Sequence, residues 1–145
     1  MPQTLEVLRQ TLRGDVPSPP VARLIGFVLT AVEPGRAVIA FESGPQHWNP
    51  MGTLHGGVLC DIADAAMGVA YAATLDGDET FTTLELKINF LKPVRSGRLV
   101  ATGRLVKGGD TVGLVECDVV DEDGRLVARA SSTCMTLRGA QAEGR

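Results

Sequence analysis

Residues 47–57 read HWNPMGTLHGG and run directly into an alanine-rich segment that carries Asp61 and Asp64. Both histidines and the single tryptophan of the chain lie within this stretch. The first amides of a helix lack intrahelical partners and carry a partial positive charge. Because Gly56 and Gly57 have no side chain, the sequence predicts a helix start that a polarised carbonyl oxygen can approach closely.

The segment after this turn is predicted to form one long helix. From Gly57 to about Leu75 it contains no proline and many strong helix formers, and Asp76-Gly77-Asp78 supplies a stop. Helical periodicity divides the segment into a packed face and a face available for chemistry. The packed face comprises Val58, Leu59, Ile62, Ala66, Val69 and Ala73, and the opposite face Asp61, Asp64, Gly68 and Tyr71.

The size and charge of the chain narrow its class. With 145 residues the chain is in the range of a single domain with one core. A net charge of −3 and a pI near 5.3 argue against a nucleic-acid-binding surface. The most apolar long window, residues 56–75, contains two aspartates, which oppose insertion into a bilayer. We expect neither a nucleic-acid partner nor a membrane span.

The three cysteines do not indicate a metal site. Cys60, Cys117 and Cys134 lack the spacing of metal ligands and form no even set of pairs, so they are interpreted as small core residues. The chain shows no leader with a charged, an apolar and a small-residue region. A reducing cytoplasm is the predicted location, and no metal is expected.

The chain is predicted to have three parts. Residues 1–16 form an N-terminal helical extension, residues 17–138 the domain, and residues 139–145 a small, polar, disordered tail. The helix of the extension spans about Gln3 to Arg13. Its apolar face comprises Leu5, Leu8 and Leu12.

Six segments have the composition and alternation of strands. In the third, Leu84, Leu86, Ile88 and Phe90 are predicted on one face, and Thr83, Glu85, Lys87 and Asn89 on the other. Tight turns separate the strands that follow the helix, which predicts an antiparallel meander. The fold class is α+β, with the sheet covering the apolar face of the helix. The predicted strands are residues 26–32, 36–42, 80–91, 98–107, 111–121 and 125–137.

Two motifs carry a resemblance to a known family. The first is NPMGTLHGGVL at residues 49–59, ahead of Asp64, and the second is TLELKINFLKP at residues 83–93. Together they resemble the hotdog-fold acyl-CoA thioesterases of the 4HBT superfamily, in particular the phenylacetate-degradation, PaaI-like subgroup. The resemblance runs from about Ser18 to Leu137. It implies a hotdog fold over residues 17–138, with five to six antiparallel strands wrapped around one long central helix.

The resemblance also implies roles for individual residues. Asp64 matches the catalytic carboxylate, which attacks the thioester or activates water. Asn49 and the amide of Gly56 match the groups that polarise the thioester carbonyl, and Thr83 matches a serine or threonine that places the attacking water. His55 matches a histidine that orients the loop or lies near the departing sulfur. The site lies between subunits in this family, which implies a homodimer or a dimer of dimers.

The residues suit thioester hydrolysis on chemical grounds as well. Helix-terminal amides and an asparagine amide are suitable donors to an oxyanion. A thiol leaves readily as thiolate, so a strong general acid is unnecessary, and an aspartate is ionised at neutral pH. Whether Asp64 acts as nucleophile or general base stays open. No cofactor is expected beyond coenzyme A as part of the substrate.

Five further residues are predicted to bind the substrate. Gly57 would offer its backbone amide, Met51 and Leu54 would border the acyl group, and Lys92 and Arg95 would meet the phosphates of coenzyme A. A solvated, charged sheet edge is the alternative for the two cations. The acyl group stays open among aromatic, medium-chain and hydroxylated acids. The pocket depends on a partner subunit and on the packing of four residues, Met51, Leu54, Tyr71 and Phe81.

Each loop or helix residue near the motif also has a structural interpretation. Asp61 lies one turn before Asp64 and is interpreted as a polar edge residue whose charge raises the pKa of its neighbour. His47 and Trp48 are interpreted as loop packing, with an acyl-pocket wall as the alternative for Trp48. Asn49 could be a turn residue.

Two other functions stay open at this point. One is a hotdog hydratase or dehydratase acting on enoyl or hydroxyacyl thioesters, although the proline-rich histidine loop of those enzymes is missing. The other is a non-catalytic acyl-CoA-binding module, which has no need for an acid aimed at the carbonyl.

Overall fold

The computed structural model describes residues 3–145 and has an α+β architecture. Two short helices, α1 (Gln3–Arg13) and α2 (Pro20–Ile25), precede the sheet, and the long helix α3 spans Gly56–Ala72. Short 3₁₀ turns lie at Pro45–His47 and Gly139–Ala142. The strands are β1 (Phe27–Glu33), β2 (Arg36–Ser43), β3 (Thr80–Phe90), β4 (Gly97–Gly108), β5 (Val112–Val120) and β6 (Leu126–Leu137). The predicted fold class is confirmed.

The sheet is antiparallel throughout and has the order β1-β2-β4-β5-β6-β3. The predicted meander is right for β4, β5 and β6 but wrong for β3, which lies at the far edge beside β6. The connection from β3 to β4 crosses the start of α3, where the Leu54 N–H donates to the Val94 carbonyl at 2.7 Å. Strand order therefore does not follow chain order, because β4 takes the free edge of β2.

The sheet curls tightly around α3, whose small residues make the helix thin. Ala63, Ala66 and Ala70 are fully buried, as are the larger Ile62 and Met67. On β4, a Cβ built at Gly103 would lie 2.3 Å from the backbone oxygen of Ala66. Strand backbone and helix backbone are thus in direct contact, which is possible only where neither carries a bulky side chain.

Tyr71 lies on the buried side of α3, so its predicted place on the open face is wrong. Its side chain is 3% exposed, and its hydroxyl forms a 2.8 Å hydrogen bond with Thr136 Oγ1. The sheet covers more of α3 than the predicted apolar face, so Tyr71 is buried as well. The hydrogen bond to Thr136 gives the buried Tyr71 hydroxyl a partner. Val58 and Val69, predicted on the packed face, are only partly buried.

The N-terminal helix packs against the sheet. Leu5 of α1 is buried and Leu8 contacts the core, whereas Leu12 is exposed. Residues 1 and 2 of the predicted extension lie outside the described residues, and the boundaries of the three predicted parts stay a prediction. In the described part of the chain, every helix is too short or too polar to cross a bilayer.

Candidate active site

The start of α3 is capped by the histidine that precedes it. His55 Nδ1 accepts the Gly57 N–H at 2.9 Å, and a Cβ at Gly57 would lie 2.9 Å from this nitrogen. Glycine is therefore needed at position 57 to let the imidazole fold back over the helix. Within residues 3–145 no acceptor takes the Gly56 N–H. Of the two amides predicted to be free, only that of Gly56 is available.

Asn49 organises the loop before the helix. Its Oδ1 accepts the backbone N–H groups of Met51 at 2.9 Å and Thr53 at 3.2 Å. Its Nδ2 donates to Thr53 Oγ1 at 2.9 Å, which uses one of the two amide hydrogens. Asn49 is therefore a turn residue, as its structural interpretation predicts. One N–H of its amide remains to bind an oxygen in the cleft that Asn49 and Gly56 both border.

His47 and Trp48 hold the loop against the rest of the chain, as their structural interpretation predicts. His47 Nδ1 accepts the Gly44 N–H at 3.1 Å, so Nε2 carries the hydrogen donated to the Ile25 carbonyl at 2.8 Å. Trp48 Nε1 donates to the Arg95 carbonyl at 2.6 Å. Both rings have structural partners, and neither residue borders the clefts that Asp64 borders.

A β-bulge in β3 brings Thr83 beside Asp64. Thr83 pairs with Cys134 and Glu85 pairs with Thr133, so Leu84 is an extra residue on β3. The bulge shifts the alternation by one, and Thr83 shares the inner face of the sheet with Leu86 instead of the outer face with Glu85. The faces predicted for Thr83 and Leu84 are therefore wrong, because periodicity alone does not reveal a bulge.

The surroundings of Asp64 disfavour its charged form. Although the side chain is exposed in the single chain, burial against neighbouring atoms raises the pKa of Asp64 above its ordinary value. The charge of Asp61 raises this pKa further, and the nearby Thr83 hydroxyl, which also lies 4.0 Å from Cys134 Sγ, lowers it. Asp61 thus has the electrostatic effect that the sequence predicted, and a partly desolvated carboxylate beside a hydroxyl is suited to act as nucleophile or base.

The oxyanion donors and the acid lie in separate clefts of the chain. Asn49 and Gly56 border a cleft of about 430 Å³, and Asp64 and Thr83 border another of about 390 Å³. Gly56 and Asp64 are eight residues apart on one helix, which corresponds to about 12 Å along its axis. One thioester carbonyl cannot contact both groups of the same chain.

The five predicted substrate-binding residues differ in their surroundings. Leu54 is buried and Gly57 is exposed beside His55, whereas the Met51 side chain is 78% exposed. Lys92 borders the Asn49–Gly56 cleft but forms an ion pair with Asp121. Arg95 is exposed, and its guanidinium lies beside Gly52. Arg95 is the more accessible of the two cations.

Comparison with known proteins identifies the family. Residues 51–128 match the family model described as Thioesterase superfamily, more than half of the chain. The chain belongs to the thioesterase superfamily. The matched region of this thioesterase includes the start of α3, Asp64 and Thr83. The chain is a PaaI-like thioester hydrolase, and its six strands around one helix are the hotdog fold.

Named relatives cover most of the thioesterase. It is 30% identical over 132 residues to the medium/long-chain acyl-CoA thioesterase YigI of Salmonella typhimurium, covering 80% of this chain and 84% of that protein. It is 30% identical to the 1,4-dihydroxy-2-naphthoyl-CoA hydrolase of Listeria monocytogenes, covering 75% and 89%. The crystal structure of a phenylacetic acid degradation-related protein from Ralstonia eutropha matches with a TM-score of 0.80 at 34% identity, covering 88% and 98%.

Two phenylalanines of the thioesterase border the site, Phe81, which the sequence predicts in the acyl pocket, and Phe90, which has no role assigned from sequence. A Cβ at Gly56 would lie 2.9 Å from Phe90 Cζ, and one at Gly68 would lie 3.2 Å from Phe81 Cζ. Each ring occupies space left by a glycine of α3. The signal available in the sequence was Gly68 itself, since a glycine within a helix is unfavourable and often marks a close approach.

Proposed function

We propose that this thioesterase hydrolyses an acyl-CoA thioester at a site shared by two copies of the chain. Asp64 of one copy acts as nucleophile or general base, with Thr83 placing the attacking water. The Gly56 N–H and the Asn49 amide of the other copy bind the oxyanion. His55 caps the helix that presents the Gly56 N–H. The proposed location of the enzyme is the cytoplasm.

The observation that carries the catalytic part is the placement of Thr83 beside Asp64. A bulge is needed to turn the hydroxyl to the inner face, and both residues border the same open cleft. A hydroxyl that donates to a carboxylate can also hold a water next to it. The carboxylate therefore has what it needs to attack the thioester carbon or to activate water.

The separation of the two clefts supports the shared site. Bringing an oxyanion donor and an acid to one carbonyl requires both within a few ångströms of it. A second copy can supply the missing half of each site through a twofold axis. β3 is an edge strand, and Leu84, Phe90 and Leu91, all on or next to it, are each 55% exposed. These exposed apolar side chains are suited to be covered by a partner.

The choice of coenzyme A rests on the relatives and on charge. Two of the relatives are an acyl-CoA thioesterase and a naphthoyl-CoA hydrolase. Lys92 borders the Asn49–Gly56 cleft while paired with Asp121, and the exposed Arg95 guanidinium lies beside Gly52 in the loop of Asn49. Cations therefore lie on the half of the site that binds the oxyanion. Arginine and lysine both bind phosphate groups.

The first experiment replaces the acid. Asp64→Asn keeps the shape of the side chain but removes its charge, so we expect free-thiol release from acyl-CoA substrates to fall by at least about 100-fold, the scale of one catalytic group. Asp78→Asn, which removes the same charge in the turn before β3, is the matched control. Turnover by Asp64→Asn near the parent rate would overturn the proposed mechanism.

The second experiment tests the shared site by mixing two inactive variants. Asn49→Asp keeps the oxygen that accepts the Met51 and Thr53 amides but replaces the free N–H donor with an oxygen. In a mixed dimer with Asp64→Asn, one site has both intact groups and the other has neither. Random pairing then restores about a quarter of parent activity for a twofold dimer. No recovery after confirmed subunit exchange would place both groups in one chain.

A further inference from the structure

Helix α3 and strand β3 border a groove, and at each end of it a phenylalanine of β3 packs on a glycine of α3. Phe90 packs on Gly56 at the start of the helix, and Phe81 packs on Gly68 further along it. Asp64 and Thr83 lie between these two contacts. A substrate whose thioester lies at Asp64 can therefore extend along the groove in either direction.

The branch toward the end of α3 is apolar beyond the catalytic pair. It forms a cleft of about 230 Å³ whose walls beyond Asp64 and Thr83 are Ala65, Gly68, Val69, Ala72 and Phe81. The branch on the other side of Asp64 includes the carboxylates of Asp61 and Glu85. Glu85 accepts a hydrogen bond from Thr133 at 2.8 Å, but both carboxylates carry charge without a cation partner among the described ion pairs. Covering such a charge with an acyl group costs desolvation free energy, so the apolar branch is the favourable one.

Coenzyme A is placed on the half of the shared site that Asn49 and Gly56 of the other copy form. Lys92 borders the Asn49–Gly56 cleft, and Arg95 is exposed nearby in the chain. The phosphates of the coenzyme are favoured near these cations. The acyl group and the coenzyme leave the thioester in different directions, which leaves the cleft beside Phe81 for the acyl group.

The Phe81 ring is held in place from two sides. Gly68 leaves space for it on α3, where a methyl group would already lie 3.2 Å from the ring. Behind it, the Tyr71 ring lies at a centroid distance of 5.5 Å with an interplanar angle of 56°. Tyr71 is fixed in turn by its hydrogen bond to Thr136. A ring supported in this way is a firm wall and does not swing aside for a larger ligand.

We infer that Phe81, packed on Gly68, is the residue that sets which acyl groups this thioesterase accepts, and that the acyl group lies in the cleft between Asp64 and Ala72. This inference rests on the proposed function. Phe81 acts by excluding volume, so the size and shape of the acyl group, and not the chemistry at the carbonyl, change when the residue is altered.

The test is the kcat/KM profile of purified full-length variants over straight-chain acyl-CoA thioesters from butanoyl to palmitoyl, with phenylacetyl-CoA added. Phe81→Ala enlarges the cleft and is expected to move the optimum to longer chains, with a gain of about tenfold or more in the ratio of long to short substrates. Gly68→Ala pushes the ring into the cleft and is expected to move the optimum to shorter chains. Phe81→Leu, the milder variant, should shift the profile in the same direction as Phe81→Ala and carries the test if that variant does not fold.

A matched truncation in the other cleft separates the outcomes. Leu91 borders the cleft of Asn49 and Gly56, so Leu91→Ala should change the profile less than the Phe81 variants. A shift produced by Leu91→Ala and by none of the Phe81 and Gly68 variants would overturn the inference and leave the proposed function standing. An unaltered profile in all of them would also overturn it. Failure of the parent to release thiol from every substrate, with binding retained, would instead overturn the proposed function.

Discussion

Thr83 and Asp61 act on Asp64 in opposite directions. Thr83 lies across the groove on β3, and its hydroxyl lowers the pKa of Asp64, whereas Asp61 precedes Asp64 by one helical turn and raises that pKa through its charge. Burial is the larger cause and also raises it. The protonation of the proposed catalytic group is therefore set jointly by a strand residue and a helix residue.

Asp61→Asn should move the acid limb of the pH–rate profile to lower pH. Removing the negative charge stabilises the Asp64 carboxylate, so its pKa falls and the active ionised form persists in more acidic solution. The measurement is kcat/KM against pH with one acyl-CoA substrate. Asp78→Asn removes the same charge at a distance from the site and should leave the limb in place. A shift to higher pH in Asp61→Asn would contradict the electrostatic assignment.

Thr83→Val should have the opposite effect on pH dependence. Valine has the shape of threonine without the hydroxyl, so the pKa of Asp64 rises and the acid limb moves to higher pH. Since the hydroxyl is also proposed to place the attacking water, kcat/KM should fall about tenfold or more on the plateau. Thr83→Ser keeps the hydroxyl and serves as the control. Equal loss in both variants would show that packing, not the hydroxyl, matters at this position.

The start of the helix could be predicted from sequence because its determinants are local. Glycines after a histidine, the absence of proline through residue 75 and the aspartates on α3 are all properties of neighbouring residues. The cap formed by His55 Nδ1 on the Gly57 N–H was not predicted, although it removes one of the two amides expected to be free. Whether the Gly57 amide is free depends on the conformation of the His55 side chain, which a residue pattern does not encode.

Features set by pairing between distant segments could not be predicted in the same way. The bulge at Leu84 exists only relative to β6, where Thr83 and Glu85 pair with the adjacent residues Cys134 and Thr133. The position of β3 at the sheet edge depends on β4 pairing with β2. Periodicity predicts Tyr71 on the open face of α3, but its hydroxyl is hydrogen-bonded to Thr136 on β6. The groove beside Asp64 is a product of these long-range choices.

His55→Ala should lower the free energy of unfolding by about 1 kcal/mol, the usual cost of losing a helix cap. His55→Ser retains a side-chain acceptor at the cap position and should recover most of that loss. Urea unfolding monitored by circular dichroism measures both. Thiol release by the serine variant then distinguishes the two roles left open for this histidine, since a lost rate with retained stability indicates a position near the departing sulfur.

Tyr71→Phe should destabilise the chain by about 1–3 kcal/mol, because the Thr136 hydroxyl is left buried without its partner. Tyr71→Phe combined with Thr136→Val removes both polar atoms and should cost less than the sum of the single variants. The comparison is a double-mutant cycle in urea. Strict additivity would mean that the two hydroxyls do not interact in solution.

Gly103→Ala should be the most destabilising single methyl addition in the sheet. The new Cβ would lie 2.3 Å from the Ala66 oxygen and 2.8 Å from the Met67 nitrogen, and these are backbone atoms that cannot rotate away. Helix and strand must separate, so we expect a loss above about 3 kcal/mol or failure to fold. Gly108→Ala on the same strand is the matched control, because its Cβ meets only the movable Leu105 side chain at 3.2 Å. Thermal unfolding compares the two variants. Similar unfolding midpoints for the two variants would show that α3 does not rest directly on β4. The sheet would then not wrap tightly around α3, and the groove beside β3 would not be the open side of the helix.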